Sequence, residues 1–194
     1  GGEAAIPLDP KLAVSYDQAR QFILSCRSIR IFKPQAVAKD EILELLDTAR
    51  KAPTASNAQP VRWTVINGRE KAVRISELTI DWFDTVVRND PSLVGNYNID
   101  YLVSRFREGY DVILRGAPSA VCAVTDKANS RAVIDASIAL TYFCLAAHGR
   151  HIGSCWAGFV MRAAINYMPL REYLGLDENS MAHAIAFFGY PDIE

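Results

Sequence analysis

Apolar and polar positions along this chain switch between a helical period and a strand period, and the switches mark out its elements. Ser15-Tyr16-Asp17-Gln18 has the S-x-x-Q form of a capping box, which predicts a short helix to about residue 25. Residues 26–32 read as the loop behind it, ending at Pro34. Ile42, Leu45, Leu46 and Ala49 recur at i, i+3, i+4 and i+7, predicting a helix over 39–51. Its acids Asp40 and Glu41 stand in the first turn and its bases Arg50 and Lys51 in the last, as the helix dipole favours. Residues 52–60 break the pattern with two prolines and several small polar residues, so they form a shaped loop. Residues 61–66 alternate as a strand. Residues 69–89 and 101–115 read as helices, separated by the breakers Asn89-Asp90-Pro91-Ser92 and Gly95-Asn96. Residues 120–125 are almost continuously apolar, as in a strand buried on both faces, and 182–188 form another buried strand. Between them, 134–148 is a helix apolar nearly all round.

Strands alternating with helices give an α/β or α+β class with one sheet. No repeat and no dividing linker is visible. Residues 1–14, with Pro7 and Pro10, read as an extended N-terminal arm, and 15–194 as a single domain. The 134–148 helix offers water little beyond Asp135, Ser137 and Thr141. A helix apolar on every side has to be buried on every side, which places this one at a subunit interface and predicts a homodimer.

Composition narrows the function classes. Half of the 194 residues are hydrophobic, enough for a substantial core. The 21 Lys and Arg balance 22 Asp and Glu for a net charge of −1, so nothing points to nucleic acid or an anionic membrane. Cys26, Cys122, Cys144 and Cys155 are widely spaced and lack a C-x-x-C, against a disulfide framework or a zinc site and in favour of a reduced, cytoplasmic chain. No apolar run reaches the ~18 residues of a membrane span. Gly1-Gly2 lacks the basic and apolar regions of a signal peptide and reads as a cloning remnant or the cut end of something longer.

The common phosphate signatures G-x-x-x-x-G-K-[ST] and G-x-G-x-x-G are absent. Arg27, Ser28 and Arg30 put two guanidinium groups and a hydroxyl within four residues. That is either an oxyanion clamp or a surface loop with two solvated arginines. In 53–60, Thr54, Ser56, Asn57 and Gln59 offer hydrogen bonds to a heteroaromatic ring or a sugar-like chain, or else serve a capped turn. Gly153-Ser154-Cys155-Trp156 mimics the tail of the papain-type C-G-S-C-W signature. Ile152 replaces its first Cys, and too little chain follows to supply the partners of a nucleophile. His148-Gly149-Arg150-His151 has no nearby carboxylate and is not a metal site. His148 instead closes its helix, with Gly149 as the stop. Cys122 and Cys144 read as core, Cys155 as a small buried residue, and Cys26 as an exposed thiol.

Seven groups of residues fall in one order along the chain. Arg27-Ser28-Ile29-Arg30, Leu45-Leu46 with Ala49-Arg50-x-Ala52-Pro53, and Asn57-x-Gln59-Pro60 are followed by Ala136-Ser137-Ile138-Ala139 and Ala146-Ala147-His148-Gly149. Gly153-Ser154-Cys155-Trp156-Ala157-Gly158 and Phe188-Gly189-Tyr190-Pro191 complete the series. From about Ala19 to Asp192 the chain resembles the FMN-dependent nitroreductase family. The resemblance implies an α+β, three-layer sandwich with a central mixed sheet flanked by helices, in an intertwined homodimer. It implies FMN as cofactor, with Arg27, Ser28 and Arg30 at the phosphate and ribityl end. Pro53, Thr54, Ala55 and Asn57 would reach the flavin from the other subunit. Ala157 and Gly158 would offer backbone N–H groups near flavin N5 and O4, where a glycine allows close approach. The implied activity passes electrons from NAD(P)H or reduced ferredoxin through flavin N5 to a small aromatic nitro or quinone-like acceptor. It runs by a ping-pong mechanism that needs no catalytic side chain. A flavin-binding or sensing module without useful turnover is the alternative. Two departures are visible: Cys26 stands where the family has a first basic residue, and no Lys/Arg pair follows Asp192 to close over the phosphate, as if the C-terminal tail were cut. Some relatives carry a fused iron–sulfur domain ahead of this one, which makes a ferredoxin a candidate partner.

Overall fold

The apolar run 120–125 becomes the centre of the molecule. In the computed structural model, which describes residues 7–193, strand β2 (Ser119–Asp126) is buried from Ser119 to Thr125. It lies between β1 (Arg62–Asn67) and β4 (Ser180–Gly189), and β3 (Gly153–Trp156) closes the far edge in the order β1-β2-β4-β3. All three pairings are antiparallel, with Cys122 opposite both Thr64 and Ile185, and Cys155 opposite Phe187. The mixed sheet expected of the resemblance is therefore corrected. Among the described residues, parallel pairing shrinks to one isolated bridge, Ser28 with Ser154.

Alternation along β2 divides the core into two layers, because successive side chains point to opposite faces. Ala120, Cys122 and Val124 face a layer built on α3 (Arg69–Trp82), α4 (Ile99–Arg107), α6 (Gly158–Asn166) and α7 (Met168–Tyr173). Val121 and Ala123 face α2 (Lys39–Ala49) and α5 (Ala132–Gly149). Helices on both faces of one sheet make the expected three-layer α+β sandwich. On β4 the alternation is interrupted: Ala123 pairs with Ala184 and Val124 with Ala182, leaving His183 as the extra residue of a β-bulge.

The helix beginning at Ser15 forms as α1 (Tyr16–Ser25), with both halves of its capping box made. It buries none of its residues, and Phe22, Ile23 and Leu24 stay exposed. Ahead of it, residues 7–14 are exposed around a short turn, Pro10–Leu12, and residues 1–6 of the expected arm lie outside the described residues. Helix α5 packs its inner face against the sheet but leaves Val133, Ile134 and Tyr142 exposed, so burial on every side is not met within one chain. Its 18 residues, with a mean hydropathy of 1.4, are long and apolar enough to cross a membrane, which corrects the expectation that no such run exists. Eight of them are buried against the protein. Gly149 does not stop this helix. The left-handed residue is His151 (φ 57°), and Ile152 N–H donates to the Ala147 carbonyl at 2.9 Å in a Schellman-type end.

Two further differences have local causes. The predicted 69–89 helix ends at Trp82 and passes into a π turn over Phe83–Val87. The predicted 101–115 helix starts at Ile99 and ends at Arg107, because Asp111 captures the backbone beyond it. Asp111 Oδ1 accepts from the N–H groups of Ile113 (3.0 Å) and Leu114 (2.9 Å), and Oδ2 from Gly116 (3.1 Å). A carboxylate that satisfies three backbone donors offers the chain an alternative to helix.

Candidate functional site

The segment from Arg27 to Lys33 is laid along the free side of β3. Ile29 N–H donates to the Ser154 carbonyl at 3.0 Å, Lys33 N–H to Tyr190 at 2.9 Å, and Asp192 N–H returns to Ile31 at 3.1 Å. The approach is close because the sheet carries glycines there. A Cβ on Gly153 would come to 2.8 Å from the Ile29 side chain, and one on Gly189 to 2.6 Å from Pro118. Along this segment Ile29 and Phe32 turn inward, while Arg27, Ser28 and Arg30 are exposed.

Those outward residues line three neighbouring cavities. Arg27 shares one of about 670 Å³ with Cys26, Lys33, His148, His151 and Tyr190. Arg27 and Ser28 line a second, of about 200 Å³, with Cys144, Ser154 and Trp156. Arg30 lines a third, of about 320 Å³, with Tyr97, Trp156, Ala157, Gly158 and Phe159. The sequence pieces around 27–30 and 157–158 are thus brought together, with Arg27 at one end of a strip and Arg30 at the other.

At the turn from β3 into α6, the two expected donors separate. Ala157 N–H is spent on the Ile185 carbonyl at 2.8 Å, which corrects its expected role as a donor to a ligand. Gly158 opens α6, where the first backbone N–H groups have no partner inside the helix. A Cβ on Gly158 would meet nothing within 4 Å, so the space in front of it is open. The walls are aromatic: Phe159 packs edge-on against Phe83 (5.2 Å) and Tyr97 (4.8 Å), so the π turn after α3 supports the rim.

The loop 53–60 is shaped as expected but lies elsewhere. Ser56, Asn57 and Gln59 all hold positive φ (54°, 55° and 48°), a conformation that costs non-glycine residues energy and concentrates at functional sites. Thr54 Oγ1 accepts from Gln59 N–H at 3.0 Å, and Asn57 Oδ1 from Gln59 Nε2 at 3.0 Å. The buried Asp135 of α5 accepts from Ala55 N–H at 3.0 Å and ties the loop to the same helix that exposes Val133 and Ile134. Pro53, Thr54, Ala55 and Asn57 line none of the three cavities above.

All four cysteines are free. Burial pushes the Cys122 thiol up to about 12 and Cys144 up to about 11, so both are inert core groups as expected. Cys26 is half-buried rather than fully exposed, and burial raises its pKa as well. Cys155 is buried between the second and third cavities. No cluster of metal-ligating side chains occurs among the described residues.

The Nitroreductase family model matches residues 23–190. The chain belongs to the nitroreductase family. A protein of Archaeoglobus fulgidus that carries the assigned name NADH dehydrogenase/NAD(P)H nitroreductase is 26% identical over 183 residues, covering 92% of this chain and 88% of that protein. Among solved structures, the FMN-bound nitroreductase of Desulfitobacterium hafniense superposes with a TM-score of 0.72 at 19% identity, over 91% of this chain and 90% of that one. The FMN-dependent nitroreductase of Mycobacterium smegmatis in complex with NADPH gives 0.71 at 21% identity, over 91% and 88%. The three-layer architecture is therefore the nitroreductase fold.

Several residues that line these cavities were not assigned to the site from sequence. Lys33, His148 and His151 join Arg27 through the chain's return at 190–192, which no local pattern foretells. Phe159 and Arg162 sit on α6, a helix the apolar periodicity of 159–164 could have revealed. Arg115 lines the third cavity at φ 56°, and only the Asp111 turn puts it there.

Proposed function

We propose that this nitroreductase-family chain is an FMN-dependent oxidoreductase that reduces a small aromatic nitro or quinone-like acceptor. The supporting observation is the strip of cavities along 27–30, with Arg27 and Lys33 at one end and, at the other, an opening walled by Tyr97, Trp156 and Phe159 that also carries Arg30, Arg115 and Arg162. FMN, when bound, supplies a ring that takes up and gives out electrons. Arg27, with Lys33, His148 and His151 beside it, provides positive and donor groups suited to a phosphate. These groups stand in for the basic residue replaced by Cys26. Ser28 and Ser154 offer hydroxyls for a polyol chain between the two ends. Arg30 faces the ring pocket with Gly158, whose free N–H at the start of α6 suits an electronegative ring atom. Trp156, 41% exposed, leaves the pocket mouth accessible, so donor and acceptor can use one opening in turn, in a ping-pong order.

The reading includes a homodimer. The apolar residues exposed on α1 and α5 call for a cover. The loop held to α5 by Asp135 then carries Pro53, Thr54, Ala55 and Asn57 to the partner's ring pocket. The donor is NAD(P)H or a reduced ferredoxin, supplied as a separate protein or a fused iron–sulfur domain. Four free thiols are consistent with a cytoplasmic setting. The test is anaerobic mixing of FMN-loaded protein with NADH, NADPH or reduced ferredoxin, followed by a nitroarene. Bleaching by one donor and recovery on adding the acceptor is expected. A flavin that is reduced but reoxidised by no acceptor turns the assignment to a binding or sensing module.

A further inference from the structure

Beyond Arg30 the strip continues into a pocket of about 400 Å³ with an unusual charge balance. Arg30, Arg69, Arg105 and Arg115 line it, against a single lining carboxylate, Asp111. That carboxylate accepts from backbone N–H groups and from Ser76 Oγ (2.9 Å), and its one negative charge leaves the four guanidinium groups in excess. Arg105 pairs with Glu108 and lies over the Tyr110 ring, its guanidinium carbon 3.7 Å from the centroid. Arg69 donates to the Gly116 carbonyl. Arg30 and Arg115 make no ion pair among the described residues.

This cluster is built rather than scattered. Arg115 holds a left-handed φ of 56° and Gly116 one of 77°, a pair kept in place by the Asp111 turn. Non-glycine residues held in this conformation, as Arg115 is, concentrate at functional sites. Gly116 also makes room for its neighbour, since a Cβ there would lie 3.0 Å from Arg69 Nη1. The floor is apolar, from the buried Leu102 and Val112, and Tyr101 and Tyr110 stand exposed at the sides. Such a site suits a flat molecule carrying anionic oxygens, which planar guanidinium groups recognise with two parallel donors.

We propose that this pocket binds an anionic oxygen group, a carboxylate, sulfonate or phosphate, on the reactant that enters the adjoining ring pocket. The two pockets share Arg30, Val112 and Arg115. The inference rests on the ring-pocket assignment above and adds the charge class of what meets it. The anion belongs either to the acceptor or to a phosphorylated nicotinamide donor, and the two sources are separable.

The test is calorimetric binding to the oxidised, FMN-saturated protein of two matched pairs: 4-nitrobenzenesulfonate with 4-nitrobenzenesulfonamide, and the unreactive oxidised nicotinamides NADP+ with NAD+. At least one anionic member is expected to bind roughly tenfold more tightly than its partner, the scale of a charge-assisted hydrogen bond. In Arg115→Asn, which tolerates the left-handed backbone, and independently in Arg105→Gln, that ratio should fall toward one. A preference in the sulfonate pair assigns the pocket to the acceptor, and one confined to NADP+ assigns it to the donor. Equal binding within both pairs, or a preference that survives both substitutions, overturns the proposal. A protein that refuses FMN yet keeps an Arg115-dependent preference retains the anion pocket and loses the ring-pocket assignment.

Discussion

Ile29 donates its backbone N–H to the carbonyl of Ser154 at 3.0 Å, directly beside Gly153, whose missing side chain admits Ile29. That contact fixes the register of the 27–33 segment on the sheet edge, and so the side to which Arg27, Ser28 and Arg30 project. Gly153→Ala is therefore expected to shift the segment. Overpacking of this kind costs about 1–3 kcal/mol. FMN affinity should fall further than the stability loss alone explains. Denaturant midpoints and FMN titration on one preparation check this, and unchanged affinity would separate the segment from the site.

Arg30→Ala should weaken FMN retention by roughly ten- to a hundredfold, the range for one charged hydrogen bond. Its stability should stay within about 0.5 kcal/mol of the parent, because the side chain is exposed and makes no ion pair among the described residues. Equal flavin content in mutant and parent after gel filtration would remove Arg30 from the site.

How far the sequence carried this account varies by element. The capping box at Ser15, the period of Ile42, Leu45 and Ala49, and the apolar run of β2 were all legible, because each depends on neighbours a few residues away. β3 was not, since four residues carry no period of their own and are held by pairing with β4. The early end of the 101–115 helix was also hidden, because Asp111 reads as an ordinary polar residue until its acceptor contacts are seen. In the candidate site, Arg27, Ser28, Arg30 and Gly158 are the residues the family resemblance names, and the structure sets them along one strip of cavities. The grouping of Lys33, His148 and His151 beside Arg27 was not legible, because they meet only when β4's exit folds back over the loop. Ala157 was half right: it lines the pocket, but its N–H serves the sheet.

Asp135→Ala removes the acceptor of Ala55 N–H and frees the strained 53–60 loop. Ala55 is half-buried, so leaving its donor unpaired costs about 1 kcal/mol, the low end of the range for an unsatisfied group. FMN retention should fall with it, as in Asn57→Ala, if the loop reaches the cofactor across a dimer. Flavin content measured beside thermal midpoints tests this: a lower midpoint with full retention would make the loop purely structural.

His183, the extra residue of the β4 bulge, has no partner for its buried Nε2, and burial lowers its pKa below 6.5. The unfolded chain therefore binds a proton more readily than the fold does. Its share of stability is fully present above pH 6.5 and is lost as pH falls toward the lower folded value. Denaturation midpoints of wild type should decline between neutral pH and about pH 5 more steeply than those of His183→Gln. Parallel pH profiles would contradict this.

The most direct measurement is to saturate the full-length protein with FMN, pass it through gel filtration, and record the visible spectrum and mass of the eluted peak. The account predicts stoichiometric flavin absorbance travelling with a dimer, and its loss from an Arg27→Ala, Arg30→Ala double variant that still folds. A colourless protein peak after saturation, or a double variant that keeps its full complement of flavin, would contradict it.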